Sequence, residues 1–383
     1  MSDALNRRML DLAARCAARG AGRVEPNPMV GCVIGSDAGE VWGVGHHREF
    51  GGAHAEVEAL RNAAANGRDA RGGTAWVTLE PCAHFGKTPP CADALIAAGI
   101  RRVVIARRDP HGVSAGGIEK LIAAGVAVEV TGVSAAAVAV SDAFVRGLER
   151  GRPFVTVKWA QTVDGRIATR TGDSKWISCE RSRRRVHRMR AVSDVVMTGV
   201  GTVLADDPLL TARGVPVRKV AKRVVIDSGL RLPLDSALVR SVDRGPVWVV
   251  SVNEMAESPE ADALEERGVE MLFVPGKEGR VDLRAAVEFF GTLSQLEDMS
   301  ARDDATHVMV EAGPGLAGAL MRERLVDRCV VFVAPMMVGD DAAPGAMALG
   351  ASGMIGDAQQ LALIDQRRCG GDVMLTYSVT DSR

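Results

Sequence analysis

Two short segments in the first quarter of the sequence contain residues that can bind a metal ion and move a proton. The segment GGAHAEVEAL places His54 and Glu56 two residues apart, and EPCAHFGKTPPC (80–91) contains Cys82 and Cys91. Zinc in a catalytic site typically has three protein ligands and leaves its fourth position to water. The histidine and the two cysteines supply such a set if the two helix starts that follow these motifs face each other. Glu56 could then take a proton from the water and pass it to a substrate.

Other interpretations of the cysteine pair compete with a catalytic metal site. A disulfide is one, but seven cysteines are an odd number and the start MSDALNRRML does not resemble a signal peptide. A structural zinc site is another, and it would need a fourth ligand, for which His84 is the obvious candidate. Zinc deaminases carry H-x-E followed by P-C-x-x-C, whereas eight residues separate the two cysteines here. The ligand types remain complete, so the combined pattern favours an open zinc site.

The segments around these motifs predict a layered α/β domain. The apolar run VGCVIG (30–35) and the segment EVWGVGHH (40–47) are typical of two paired strands, and helical and strand-like segments alternate after them. An arginine- and glycine-rich stretch (142–154) interrupts this alternation. We therefore place the first domain at residues 1–146 and a second, strand-rich α/β domain at 152–383.

The amino-acid composition excludes several classes of protein. The chain has 383 residues, of which 47% are apolar and 25% charged, as expected for a soluble protein of two domains. Its net charge of −1 argues against a dedicated nucleic-acid-binding protein. No apolar run approaches the length needed to cross a bilayer. We expect a cytoplasmic enzyme with a small-molecule substrate, no nucleic-acid or membrane partner, and self-association into a homo-oligomer.

The second half contains a glycine motif and two arginines that suggest phosphate binding. In EAGPGLAG (311–318) the glycines form G-x-G-x-x-G between a strand and a helix, where backbone amides can hold a phosphate. This motif lies late in its domain, so a Rossmann fold is the less favoured interpretation. Arg190 shares a helix face with apolar residues, and Arg213 follows LADDPLLT. Either arginine could bind a phosphate or be an ordinary exposed or salt-bridged residue.

The first half resembles the deaminase half of the bifunctional riboflavin-biosynthesis deaminase/reductase family. The resemblance rests on PNPMVGCVI, HAEVEAL and TLEPCAHFGKTPPC, and the eight-residue cysteine spacing is that family's form of the motif. It implies a cytidine-deaminase-like α/β/α sandwich, with zinc bound by His54, Cys82 and Cys91 and protons carried by Glu56. By the same resemblance Asn27 would contact the pyrimidine, with His47 and His84 near the pocket.

The second half resembles the reductase half of the same family, which has a dihydrofolate-reductase-like α/β fold. The matching segments are KWAQTVDGRIA, TGDSKWIS, GVGTVLADDPLLTAR, VVIDS and EAGPGLAGAL. The residues implied to contact NADPH are Ala160, Trp176, Thr202, Asp206, Ser228, Gly313, Pro314, Gly315, Leu316, Ala317, Gly318 and Ala319. Those implied to contact the phosphoribosyl substrate are Ser174, Arg190, Leu210, Arg213 and Glu311. Lys158 and Asp164 are interpreted as structural residues at a strand end.

The resemblance implies an enzyme with two successive activities. The first site would remove an amino group from a phosphoribosylaminopyrimidine, and the second would reduce the ribosyl group to ribityl with NADPH. Asp206 and Glu311 are the candidates for the proton donor of the reduction. The alternative is a zinc deaminase of nucleosides or RNA bases with a non-catalytic second half.

Overall fold

A computed structural model describes residues 2–85, 89–112, 115–295, 300, 303–350 and 354–380. The chain forms two compact units, Met1–Arg152 and Pro153–Arg383. The stretch in which the sequence predicts the boundary includes a helix, Asp142–Arg150, that belongs to the first unit. No helix within the described ranges is both long enough and apolar enough to cross a membrane.

The first unit is an α/β/α sandwich. Its strands are β1 (Gly31–Gly35), β2 (Val41–His46), β3 (Thr74–Val77), β4 (Arg102–Ile105) and β5 (Ala127–Val130). Its helices are α1 (Asp3–Ala17), α2 (Ala55–Ala65), α3 (Cys91–Ala97), α4 (Gly117–Ala123), α5 (Ala135–Ala139) and α6 (Asp142–Arg150). The strand order is β2-β1-β3-β4-β5, in which β1 is antiparallel to both neighbours and β3, β4 and β5 are parallel.

Alternate residues of the strands supply the two cores of this sandwich. On β1, Cys32 and Ile34 pack in the cluster that includes residues of α2, α3 and α4, whereas Val33 packs in the cluster formed with α1 and α5. This alternation follows from the two-residue period of a strand. The continuous apolar run VGCVIG therefore reflects a strand that is buried on both faces.

Two glycines allow helix α2 to lie close against strand β2. A Cβ at Gly45 would come within 2.2 Å of the Ala55 carbonyl oxygen, and one at Gly43 within 2.4 Å of the Ala59 carbonyl oxygen. The alternating glycines of VWGVGH thus fix how deeply the first turns of α2 sit on the sheet. That depth sets the position of His54, the residue immediately before the helix.

The second unit is a long, mainly parallel sheet with helices. Its helices are α7 (Glu180–Arg190), α8 (Val200–Asp206), α9 (Pro259–Glu265), α10 (Leu283–Phe290) and α11 (Pro314–Arg322). Its strands are β6 (Phe154–Thr162), β7 (Val195–Gly199), β8 (Lys222–Ile226), β9 (Val247–Val252), β10 (Glu270–Val274), β11 (Gly276–Lys277), β12 (Arg280–Val281), β13 (His307–Val310), β14 (Arg328–Ala334), β15 (Leu361–Cys369) and β16 (Asp372–Val379). Strands β11 and β12 form a separate hairpin.

The strand order of the large sheet brings distant segments together. The order is β10-β9-β8-β7-β13-β6-β14-β16-β15, parallel from β10 to β14 and antiparallel in the last two pairings. Strand β13 lies between β6 and β7, although it follows them by more than a hundred residues. Ligands of open α/β sheets bind at the carboxyl ends of strands where the order reverses, and β6, β7 and β13 meet there. The glycine motif follows β13, so it lies at this central edge without being part of an initial βαβ unit.

Candidate functional sites

The N-terminal ends of α2 and α3 bring together the three residues expected to bind zinc. His54 is the N-cap of α2, Cys91 is the first residue of α3, and Cys82 lies in the segment between β3 and α3. The His54 Nδ1 atom is 3.2 Å from Cys91 Sγ and 3.6 Å from Cys82 Sγ. The three candidate ligand atoms all lie within 4.8 Å of one another. The two helix starts therefore face each other, as the zinc hypothesis requires.

The chemistry of this donor set fits zinc and argues against the competing interpretations. Both cysteines are free thiols, so they do not form a disulfide. Hydrogen bonds from the Cys91 thiol and from His54 lower the pKa of Cys82 to about 4 despite its burial, which favours a thiolate. The described donor group has three members and does not include His84, which a closed structural site would need. One imidazole and two thiols match an open zinc site.

The carboxyl group expected to move protons lies in the same cavity. Glu56 is 3% exposed and lines a cavity of about 290 Å³ together with His54 and Cys82. Burial raises the pKa of Glu56 to about 7, so neither protonation state is strongly disfavoured near neutral pH. A group poised in this way can accept a proton in one step and return it in the next.

The cavity also contains the residues expected to contact a substrate. Asn27, His47 and His84 line it, and the His84 Nδ1 atom is buried without a partner among the described residues. Asp109 and His111 line the same cavity and were not predicted from the sequence. The signal for this pair was its position directly after β4, in the segment RRDPH. Residues 86–88 of the GKTPPC motif lie outside the described residues.

In the second unit, a cavity of about 1090 Å³ opens at the carboxyl ends of β6, β7 and β13. It is lined by most of the residues predicted to contact NADPH or substrate: Ala160, Ser174, Trp176, Arg190, Thr202, Asp206, Arg213, Ser228, Glu311, Gly313, Pro314, Gly315 and Leu316. The sheet thus brings together residues that lie more than 150 positions apart in the sequence.

Four predicted contact residues lie outside the described lining of this cavity. Leu210 lines a neighbouring cavity of about 360 Å³, which also contacts Arg190 and Arg213. Ala317, Gly318 and Ala319 are in the body of α11, and the first two are buried. A Cβ at Gly318 would lie 2.3 Å from the Ala348 carbonyl oxygen, so close packing explains the last glycine of the motif. The first two glycines of the motif therefore line the cavity, whereas the last one allows close packing.

A charge cluster whose side chains are only 11–16% exposed lies in the lining of the large cavity. Glu311 accepts two hydrogen bonds from Arg190, at 2.5 Å from Nε and 3.0 Å from Nη2, and it lies 3.7 Å from Lys158 Nζ. Burial alone would raise the pKa of Glu311, but the charges of Arg190 and Lys158 hold it at about 2. Glu311 is therefore an anion in the free enzyme, which makes it a poor proton donor.

Lys158 is a further functional candidate that was not predicted from the sequence. The sequence favoured a structural role at the strand end, whereas the structure places the side chain in the lining of the cavity. Burial lowers the pKa of Lys158 from its usual value, and the charge of Glu311 only partly opposes this effect. A buried lysine with a lowered pKa is a better acid than an exposed one. The signal that was available is a lysine in a mainly apolar strand, FVTVKWA.

The outer part of the cavity contains an aromatic ring and several cationic side chains. Trp176 is 67% exposed, and the Arg183 guanidinium lies 4.6 Å from its ring centroid. The Gly313 backbone N–H donates to Thr202 Oγ1 at 3.2 Å, which ties α8 to the start of α11. Arg231 and Arg280 also line the cavity and were not predicted. This end of the cavity suits a negatively charged cofactor.

Comparison with known proteins matches both units. Residues 4–107 match the cytidine and deoxycytidylate deaminase zinc-binding region, and residues 153–375 match the RibD C-terminal domain. The RibD riboflavin biosynthesis protein of Aquifex aeolicus is 40% identical over 337 residues, which are 88% of each chain. The chain belongs to the RibD family. The Escherichia coli RibD protein is 38% identical over 375 residues, covering 95% of this chain and 96% of its own.

Solved RibD structures share the fold across the whole chain. A diaminohydroxyphosphoribosylaminopyrimidine deaminase/5-amino-6-(5-phosphoribosylamino)uracil reductase from Thermotoga maritima is 31% identical, covers 99% of each chain and has a TM-score of 0.78. Acinetobacter baumannii RibD is 33% identical and has a TM-score of 0.76, with 99% of this chain and 100% of that chain covered. The predicted fold class, a cytidine-deaminase-like domain followed by a reductase domain, is confirmed.

Membership of the RibD family decides between the functions considered from the sequence. The protein is a bifunctional riboflavin-biosynthesis enzyme with a zinc-dependent deaminase unit and an NADPH-dependent reductase unit. A deaminase with a non-catalytic second half is not favoured, because the RibD match extends through residues 153–375.

Proposed function

We propose that the first site hydrolyses 2,5-diamino-6-(5-phosphoribosylamino)pyrimidin-4(3H)-one to 5-amino-6-(5-phosphoribosylamino)uracil. The second site would then reduce the ribosyl group of this product to ribityl. The observation that carries the proposal is that each unit has its own cavity. One is lined by residues of a zinc donor set and by a buried carboxyl group, and the other by a lysine–carboxylate–arginine cluster. The Thermotoga maritima protein is named for both activities, the deaminase and the reductase.

The deamination replaces an amino group with oxygen and consumes one water molecule. Zinc bound by His54, Cys82 and Cys91 would supply Lewis-acid activation of water. In this scheme Glu56 takes the proton released by the water and delivers it toward the departing ammonia, while Asn27 holds the pyrimidine. Its pKa of about 7, raised by burial, suits both the uptake and the return of a proton.

The reduction needs a hydride at the first carbon of the sugar and a proton at the ring oxygen. NADPH, when bound, supplies the hydride. As the bond from the first carbon to the ring oxygen breaks, that oxygen takes a proton and a carbon–nitrogen double bond forms to accept the hydride. We assign the proton to Lys158, because Glu311 is already ionised and is held by Arg190. The role of Glu311 would be to orient the lysine and the sugar hydroxyls.

The substrate phosphate is expected where the two cavities of the second unit adjoin. The smaller cavity is lined by Arg190, Arg213, Lys219, Arg223 and Arg244, and its described lining contains no carboxylate. The guanidinium of Arg190 is already engaged by Glu311 and by the Thr211 carbonyl oxygen. Arg213 donates from Nη1 to Thr211 Oγ1, a neutral partner that a phosphate can replace. Arg213 is therefore the better candidate for the direct phosphate contact.

Replacement of Arg213 by alanine tests this assignment. Because a charge-assisted hydrogen bond is worth about 1.5–3 kcal/mol, the KM for the phosphoribosyl substrate should rise roughly 10- to 150-fold. The KM for NADPH should change less than threefold, and ammonia release by the first unit should not change. An equal loss of affinity for substrate and NADPH would show that Arg213 does not bind the phosphate.

The remaining residue roles extend the same proposal. NADPH would lie along Ala160, Trp176, Thr202, Asp206 and Ser228 and over residues 313–316 at the start of α11, with Arg231 and Arg280 near its phosphates. Ser174 and the backbone at Leu210 would contact the substrate. The deaminase activity is assigned to residues 1–146 and the reductase activity to 152–383. A cytoplasmic location is supported by the seven free cysteines.

We further propose that the enzyme is a homo-oligomer that associates through strand β15. This strand is at the end of the large sheet, and Leu361 and Leu363 on it are 38% and 52% exposed. An edge strand that has unpaired backbone groups and exposed leucines is suited to pairing with a second copy of the same strand. Light scattering should give a mass of at least two 40.4 kDa chains. Leu363→Lys should reduce it to one chain, and a monomeric wild type would refute the proposal.

A further inference from the structure

The imidazole of His47 connects two parts of the deaminase site through both of its ring nitrogens. Its Nδ1 atom is 3.1 Å from the Ala53 carbonyl oxygen, and its Nε2 atom is 3.3 Å from Asn27 Nδ2. The ring is 3% exposed and lies edge-on to His54, with ring centroids 5.3 Å apart. His47 thus touches the residue before one expected zinc ligand and the residue expected to hold the pyrimidine.

These two contacts determine which ring nitrogen carries hydrogen. A carbonyl oxygen can only accept, so Nδ1 must donate to Ala53. The amide nitrogen of Asn27 can only donate, so Nε2 must be the acceptor and carry no hydrogen. The backbone carbonyl of Ala53 therefore selects the tautomer, and the tautomer selects the orientation of the Asn27 amide. With Nδ2 held against the imidazole, Oδ1 of Asn27 points away from it as an acceptor.

We infer that His47 is a positioning residue that orients Asn27 so that its amide oxygen accepts a hydrogen bond from an N–H or amino group of the pyrimidine. This inference rests on the proposed role of Asn27 in substrate binding. The same orientation would make the site selective. A pyrimidine with a hydrogen-bond acceptor at this position would face the amide oxygen of Asn27, which is also an acceptor, and would not bind. His47 itself need not touch the substrate.

The tautomer is tested on the wild-type zinc-loaded enzyme without any substitution. Long-range proton–nitrogen correlation spectra of protein labelled with nitrogen-15 at histidine distinguish protonated from unprotonated ring nitrogens. The inference requires a protonated Nδ1 and an unprotonated Nε2 for His47. A hydrogen on Nε2 would overturn it, and that result would leave the proposed deamination itself untouched.

The positioning role is tested by a double-mutant cycle with Asn27. His47→Asn keeps a donor near Ala53 but removes the acceptor for Asn27, whereas His47→Gln keeps an acceptor near the Nε2 position. Loss of one oriented hydrogen bond should raise the deaminase KM about tenfold in His47→Asn. In His47→Gln the KM should stay close to the wild-type value, because the acceptor is kept. In an Asn27→Ala background His47→Asn should change KM less than twofold, because nothing is left to orient.

Two controls distinguish loss of the Asn27 orientation from damage to the metal site. Zinc content should stay the same in both His47 variants, and His46→Asn, a change at the neighbouring histidine outside the cavity lining, should leave KM unchanged. Additive effects of the Asn27 and His47 substitutions would overturn the inference, because they would show that His47 does not act through Asn27.

Discussion

Replacement of Glu56 by glutamine should reduce ammonia release by about 10²- to 10⁴-fold, the usual contribution of a positioned acid–base group. Glutamine has nearly the same shape as the buried glutamic acid but cannot take up and return a proton. The proposed zinc ligands His54, Cys82 and Cys91 are unchanged, so the variant should bind as much zinc as the wild type. Reduction of the deaminated substrate should continue at the wild-type rate, because that site is formed by the second unit.

The same helix provides a matched control for this result. Glu58 is two residues further along α2, makes ion pairs with Arg48 and Arg61, and is not part of the described cavity lining. Glu58→Gln should therefore release ammonia normally. If Glu56→Gln retained both its zinc and its ammonia release, Glu56 could not be the proton shuttle, and a structural zinc site would become the better interpretation.

Replacement of Lys158 by methionine should reduce the rate of the reductase step by about 10²- to 10⁴-fold. Methionine fills a similar volume without an acidic group, and Glu311 keeps both hydrogen bonds from Arg190, so the buried carboxylate is not left unpaired. The dissociation constant for NADPH and the release of ammonia should be unchanged. Single-turnover oxidation of NADPH with the deaminated substrate measures the effect.

The pH dependence of this reaction adds a second readout. Since burial lowers the pKa of Lys158, the wild-type rate should fall as the pH rises through that pKa and the acid form is lost. This alkaline decrease should be absent from the residual activity of Lys158→Met. Lys222→Met is a matched control, because burial also lowers the pKa of Lys222 but the residue is not in the described cavity lining. A full rate in Lys158→Met would exclude the lysine as the proton donor.

The cluster of possible zinc donors in the first unit could be predicted from the sequence because its members lie within two short motifs. The ligand types, the H-x-E pair and the three prolines around the cysteines are local features, and helix starts are signalled by local sequence. The orientation of Asn27 could not be predicted in this way. It depends on a contact between His47 and the Ala53 carbonyl, and single-sequence patterns contain no information about such tertiary hydrogen bonds.

The reductase site was harder to predict because the sheet assembles it from distant segments. Lys158 and Glu311 are adjacent only because β13 inserts beside β6, a pairing between residues about 150 positions apart. The sequence analysis did not predict strand β15, since an edge strand with exposed, charged side chains such as those in LALIDQRRC lacks a buried pattern. Ala317–Ala319 are part of the cofactor-binding prediction, but the described lining of the cavity ends at Leu316.

The most direct test of two successive activities starts from a single substrate and measures ammonia release and NADPH oxidation together. The purified zinc-loaded enzyme is given 2,5-diamino-6-(5-phosphoribosylamino)pyrimidin-4(3H)-one, and ammonia and NADPH are followed together. Without NADPH, ammonia should be released in proportion to the substrate; with NADPH, its oxidation should follow ammonia release after a lag and reach the same total. Ammonia release without any NADPH oxidation, even from the deaminated compound, would contradict the account of the second unit. Oxidation of NADPH before any ammonia appears would contradict the proposed order.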